Sequence, residues 1–196
     1  MGIVIENEFT VAASADDTYA LMTDVERVAP CIPGASITGK REAGGYDALV
    51  TLKMGPMSLT YKGQIEIVEQ DDAAKTAVMR AKATEQRGQG TAQATLSMAI
   101  SDAGGAATNV KVSSDILVTG RVAQMGRGIM TDVAGKMIGE MAKAMEATLV
   151  AGAEAKERGE APPPTVAAEA PSAIGIAADV AKGRIKGIFG GDKKDD

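Results

Sequence analysis

Two hydrophobic periods follow each other in this chain, and their order restricts the fold more than any other feature. From residue 36 to residue 119 apolar side chains recur at every second position; from 121 to 150 they recur every three or four. The first period marks strands with one covered face, the second an amphipathic helix. Tyr46, Ala48, Val50, Leu52 and Met54 share one face of the first run, and Met57, Leu59, Tyr61, Ile65 and Ile67 one face of the next. Ala77, Met79, Ala81 and Ala83 follow, then Ala92, Ala94, Leu96, Met98 and Ile100, then Val110, Val112, Ile116 and Val118. The connections, at Gly44-Gly45, Gly55-Pro56, Asp71-Asp72, residues 88–90 and Gly104-Gly105, are too short for crossovers, so the sheet is predicted to be an antiparallel meander.

An earlier alternating run, Ile3, Ile5, Phe9 and Val11, adds a strand at the start. Ser14 is a good N-cap for a short helix over 15–22, with Asp16 and Asp17 favourable in its first turn. A second short helix, 24–29, ends at Pro30, and Cys31-Ile32-Pro33-Gly34 must then turn. A curved sheet with one apolar face needs a cover, and the helix over 121–150 is the single long candidate. The expected fold class is α+β: about seven antiparallel strands wrapped on a long C-terminal helix, with two short helices after the first strand.

That helix, about 45 Å long at 1.5 Å per residue, carries five of the chain's 11 methionines, Met125, Met130, Met137, Met141 and Met145. Met130, Met137 and Met141 fall on one narrow arc, flanked by Val122, Ile129, Val133, Ala134 and Ile138. Opposite them the sheet presents small residues: Ala48, Gly63, Ala77, Ala81, Ala83, Ala92 and Ala94. Unbranched, polarizable Met fills irregular space, so the stripe reads either as ordinary core or as one wall of an adaptable apolar cavity. On the far side of the helix, Gly128, Gly135 and Gly139 align. They either reflect the abundance of Gly (23 residues) or allow another backbone to approach.

Several functions are disfavoured. The net charge of −5 and the lack of a basic cluster with interleaved aromatics argue against a nucleic-acid partner. With no His and one Cys, the commonest general base and metal ligand are missing, and so is any internal disulfide or Cys-only zinc site. Gly88-Gln89-Gly90 lies between strands and so does not cradle a phosphate. Asp16-Asp17 and Asp71-Asp72 suit caps and turns. Asp24, Glu26 and Cys31 lack the companions of a nucleophile–base set. The chain is expected to be non-catalytic. The start of the chain reads as a strand and not as a leader, no apolar run reaches the length of a bilayer span, and a cytoplasmic protein is expected.

After residue 152 the composition changes. Residues 153–171 are rich in Ala, Glu and Pro, with Pro162-Pro163-Pro164 at the centre, and read as a flexible linker. Over 172–191 a helical pattern returns: Ile174, Ala177, Val180, Ala181, Ile185, Ile188 and Phe189 on one face, Lys182 and Lys186 on the other. The segment is net +2 within an acidic chain, and residues 192–196 form a charged tail. A short isolated amphipathic helix is unstable in water. It fits an anionic membrane surface or a partner's groove, or it is an incidental tail.

The element order resembles the helix-grip fold of the START and polyketide-cyclase superfamily. Within it the chain resembles the carbon monoxide dehydrogenase CoxG family. The likeness rests on Asp24-Val25-Glu26, Cys31-Ile32-Pro33-Gly34-Ala35, residues 57–63, Gly88-Gln89-Gly90-Thr91-Ala92 and Gly120-Arg121-Val122-Ala123-Gln124-Met125-Gly126. It covers residues 1–150. It implies an accessory protein that serves carbon monoxide dehydrogenase, a molybdenum hydroxylase, at the inner face of the cytoplasmic membrane. Such an enzyme passes electrons to a respiratory chain, which suggests that the cavity holds a membrane quinone, menaquinone-like, or a similar lipid. Apolar contacts are expected from Val50, Leu59, Met79, Leu96 and Met98 of the sheet and from Met125, Ile129, Met130, Val133, Met137 and Met141 of the helix. A polar head is expected near Tyr46, Tyr61 or Arg121. Membrane contact is expected from Ile174, Val180, Lys182, Ile185, Lys186, Ile188 and Phe189. The alternatives are a pure tether with a filled core, or a cyclase-like enzyme.

Overall fold

A computed structural model describes residues 2–54 and 57–168. The expected turn at Gly55-Pro56 lies outside the described residues, as do the amphipathic segment over 172–191 and the charged tail.

The chain begins with strand β1 (Gly2–Val11), followed by helices α1 (Ala15–Thr23) and α2 (Val25–Val28) and a 3-10 turn over Ala29–Cys31. Six strands then run in succession: β2 (Ala35–Lys40), β3 (Tyr46–Met54), β4 (Met57–Asp71), β5 (Thr76–Glu85), β6 (Thr91–Gly104) and β7 (Ala107–Val118). A short helix α3 (Arg121–Gln124) leads into the long α4 (Arg127–Glu157). The seven strands form one antiparallel sheet in the order β1-β7-β6-β5-β4-β3-β2. Neighbours in the chain are neighbours in the sheet, save that β1 pairs with β7. Bulges interrupt the β2–β3, β4–β5 and β6–β7 ladders, and such extra residues bend a strand and strengthen its twist.

Local chemistry places the short elements as expected. Ser14 Oγ accepts from the Asp17 N–H at 3.1 Å, and Asp24 Oδ1 accepts from the Arg27 N–H at 3.1 Å, so both short helices have side-chain N-caps. Asp71 Oδ1 accepts from the N–H groups of Ala73 and Ala74, which shapes the β4–β5 turn. The Tyr19 hydroxyl donates to Asp72 Oδ1 at 3.0 Å and so ties α1 to that turn. These acidic residues serve caps and turns.

The helix differs from its expected form in two ways. Instead of one run from 121 to 150, it breaks at Met125-Gly126, where Gly126 takes φ +83°, and it continues to Glu157. A domain boundary at 152 therefore falls inside α4. The segment read as a flexible linker is, over its described part, a strap laid back on the domain. Gly159, at φ +70°, turns the chain out of the helix. The Val166 N–H then donates to Thr148 Oγ1 at 2.9 Å, and the Ala168 N–H donates to the Pro30 carbonyl at 2.9 Å. The strap's own contribution to these two bonds is backbone N–H, so hydropathy gives little sign of them.

α4 does two jobs along its length. Its C-terminal half carries Met141, Ala144, Met145 and Thr148 into the main core, against Tyr19, Leu21 and Met22 of α1 and the wholly buried Cys31. Its N-terminal half, from Ile129 to Met137, lies over space.

Candidate functional site

Beneath that N-terminal half is a cavity of about 260 Å³. Its roof is Ile129, Met130, Val133, Ala134 and Met137; its floor includes Ala81, Ala83, Ala92 and Ala94. Register explains the floor: Ala81 pairs with Ala94 and Ala83 with Ala92 across the β5–β6 ladder, so the centre of the sheet is a patch of methyl groups where strands normally project large side chains. Ile129, which lines the cavity yet is 50% exposed, marks where it meets solvent.

A second chamber of about 150 Å³ lies under α2, the 3-10 turn and β2, lined by Val28, Ile32, Ile37, Ala48 and Met79 among others. The two share Val50, Tyr61, Ala81 and Ala83 as lining residues. Among the described residues no charged side chain lines either chamber. Gly63 lines the second chamber, and a Cβ there would sit 2.0 Å from the Lys82 carbonyl oxygen, so only glycine allows β4 and β5 to pack this closely.

Tyr61 is the buried polar residue among those lining the chambers. It is 5% exposed, and its hydroxyl is buried with no hydrogen-bond partner among the described residues. Burial, and then the nearby Glu85 carboxylate, push its pKa above the ordinary tyrosine value, so the phenol keeps its proton. Glu85 itself is occupied. Burial pushes its carboxyl up, but N–H donors from Gln89, Arg87 and Thr60 together hold it below the usual carboxylate value.

The loop after Glu85 fixes the start of α3. The Arg121 N–H donates to the Gln89 carbonyl at 3.0 Å, and the Thr119 N–H donates to the Thr91 carbonyl at 2.9 Å. A Cβ on Gly120 would lie 1.9 Å from the Gln89 carbonyl oxygen, and one on Gly90 2.2 Å from that of Thr119. The two glycine-bearing motifs of the sequence thus touch through bare backbone. The Cys31-Ile32-Pro33-Gly34 turn has a matching role, since a Cβ on Gly34 would lie 2.3 Å from the Thr51 carbonyl oxygen. Cys31 is buried 3.9 Å from Thr148 Oγ1, its thiol pKa raised first by burial.

The residues expected to touch a ligand divide accordingly. Val50, Tyr61, Ile129, Met130, Val133 and Met137 line the first chamber, and Val50, Tyr61 and Met79 the second. Leu59 is buried in a cluster with Tyr61, Val118 and Val122, while Met98 and Met141 belong to the main core. Leu96 opposes Met79 and Ser114 and lines neither chamber. Met125 sits at the break between α3 and α4. Tyr46 lies outside both chambers, with Lys40 Nζ 5.8 Å from its ring centroid. Arg121 is exposed and contributes its backbone. Of three candidates for the polar head, the structure brings only Tyr61 to the chambers. Sequence reasoning did not single out Ile5, Ile116, Val118 or Val122 as lining the first, or α2 as a wall of the second. Their apolar periodicity marks them as inward-facing without separating core from cavity.

A curved antiparallel sheet gripping a long C-terminal helix, with apolar space between them, is the helix-grip architecture of START-like proteins. A conserved protein from Geobacillus kaustophilus superposes with a TM-score of 0.68 at 15% identity, covering 76% of this chain and 95% of that one. A START superfamily protein from Mycobacterium smegmatis gives 0.51 at 17% identity, covering 75% and 97%. Truncated norcoclaurine synthase from Thalictrum flavum gives 0.50 at 17%, covering 72% and 91%. Likeness at this level is a likeness of fold, shared by an enzyme and by other proteins. No curated protein matches the chain by sequence. Residues 8–150 match the carbon monoxide dehydrogenase CoxG family, and the chain belongs to that family.

Proposed function

We propose that the protein is a non-catalytic accessory protein of carbon monoxide dehydrogenase that holds a membrane quinone or similar lipid between its sheet and α4. The observation that carries this is the pair of uncharged apolar chambers under a methionine roof and over an alanine floor. Apolar surface left unfilled is a cost that a ligand removes, and flexible Met side chains adapt to its shape. When carbon monoxide and water become carbon dioxide, the electrons and protons released can reduce a quinone to its quinol. The proposed task is to hold that quinone for the dehydrogenase. The segment over 174–189 would bring the complex to the cytoplasmic membrane.

The test is organic extraction of the full chain, purified from a quinone-making host, followed by mass spectrometry. The expected result is an isoprenoid quinone or a lipid in amounts approaching the protein's. Protein free of both, and unable to take up added quinone, leaves a recruitment role without a ligand.

A further inference from the structure

The strap after α4 fixes where the rest of the chain leaves the domain. Its two hydrogen bonds, from the Val166 N–H to Thr148 Oγ1 and from the Ala168 N–H to the Pro30 carbonyl, are both 2.9 Å long. The Cys31 thiol lies 3.8 Å from the Val166 carbonyl oxygen, and Ala168 packs on the main core. Ala167 and Ala168 also line a groove of about 680 Å³, together with Pro30, Ile32 and the length of β2, the edge strand of the sheet. Ile32, Ala35, Ser36 and Ile37 line both this groove and the second chamber, so the two adjoin.

Resting on the membrane reading above, we propose that the strap orients the domain: it turns the α2–β2 end, with the second chamber, toward the lipid surface. The reason is reach. Ile174, which opens the apolar face of the amphipathic segment, is six residues past Ala168. An extended chain spans at most about 3.6 Å per residue, so Ile174 lies within about 22 Å of Ala168. Ile129, where the first chamber meets solvent, is 19 residues before Thr148 on α4. That separation is about 28 Å of helix. A segment lying on a bilayer therefore holds the lipid surface near Pro30 and β2, with the opening at Ile129 farther off. Charge permits this approach. The charged residues from 25 to 40 are Glu26, Arg27 and Lys40, net +1 in a chain of net −5. Anionic headgroups meet no net repulsion there.

The test uses the full chain, isotope-labelled for NMR, with bicelles of anionic phospholipid containing a lipid spin-labelled on its headgroup. Paramagnetic broadening of amide signals is expected to be strong over residues 26–40 and 165–168 and weak over 127–135. A second chain carries a flexible Gly-Ser insert of about ten residues after Ala168, which frees the segment to lie farther away. It is expected to bind the bicelles still and to lose the difference between the two regions. Equal broadening over both regions in the unaltered chain, stronger broadening over 127–135, or an unchanged pattern in the lengthened chain overturns the orientation. If the full chain does not bind the bicelles at all, the membrane reading itself fails, and the orientation fails with it.

Discussion

Gly90 and Gly120 let the β5–β6 loop meet the start of α3 through bare backbone, and both take positive φ, +143° and +73°. Gly120→Ala is therefore expected to cost about 2–4 kcal/mol. A Cβ at Gly139, by contrast, meets nothing within 4 Å, so Gly139→Ala is expected to stabilise the protein by about 0.5–1 kcal/mol through helix propensity. Urea denaturation of the two variants checks both signs. In sequence the two glycines look alike. The motif around Gly120 points to a constrained site, but nothing local says that its constraint is a carbonyl oxygen from a loop some thirty residues earlier. The three glycines behind the methionines do align on one face, and that face is open to solvent. Tyr61 is a similar case. Alternation places it inward, and only the tertiary structure shows that its hydroxyl lacks a partner.

At the level of elements, the methionine stripe on α4 is legible as one feature and turns out to be two. Met145 is wholly buried in the core, while Met137 borders the larger chamber. Met145→Ala is expected to cost about 2–5 kcal/mol by opening a cavity. Met137→Ala, beside space that already exists, is expected to cost below about 2 kcal/mol and to change ligand uptake instead. Thermal melting and titration with a naphthoquinone separate the two effects. Periodicity records which way a side chain points and not how much bulk opposes it, so it could not divide the stripe. The opposing bulk is set by register, here Ala81 against Ala94 and Ala83 against Ala92. The strands, the two capped short helices and the order of elements were legible because each has a local signal. The break at Gly126 and the strap after Glu157 were not. The first depends on a single glycine in a helix-compatible sequence, and the second on backbone hydrogen bonds to Thr148 and Pro30.

For the whole molecule, the division of labour is between the gripping domain and the segment beyond the strap. Removing residues 171–196 is expected to leave the melting temperature and naphthoquinone binding unchanged. It is expected to abolish sedimentation with vesicles of anionic phospholipid. A truncated chain that still sediments would move membrane attachment to the domain itself. The sheet order has a consequence on another axis, time. β1 lies at one edge of the sheet, and β7 is its one ladder neighbour, with Gly2 opposite Leu117. A ribosome adding about 5–20 residues per second presents β7 roughly 5–20 s after β1. Over that interval the first strand waits with its apolar residues Ile3 and Ile5 uncovered, while the hairpins from β2 to β7 assemble beside it. The pairing of β1 with β7 is thus a late event of synthesis.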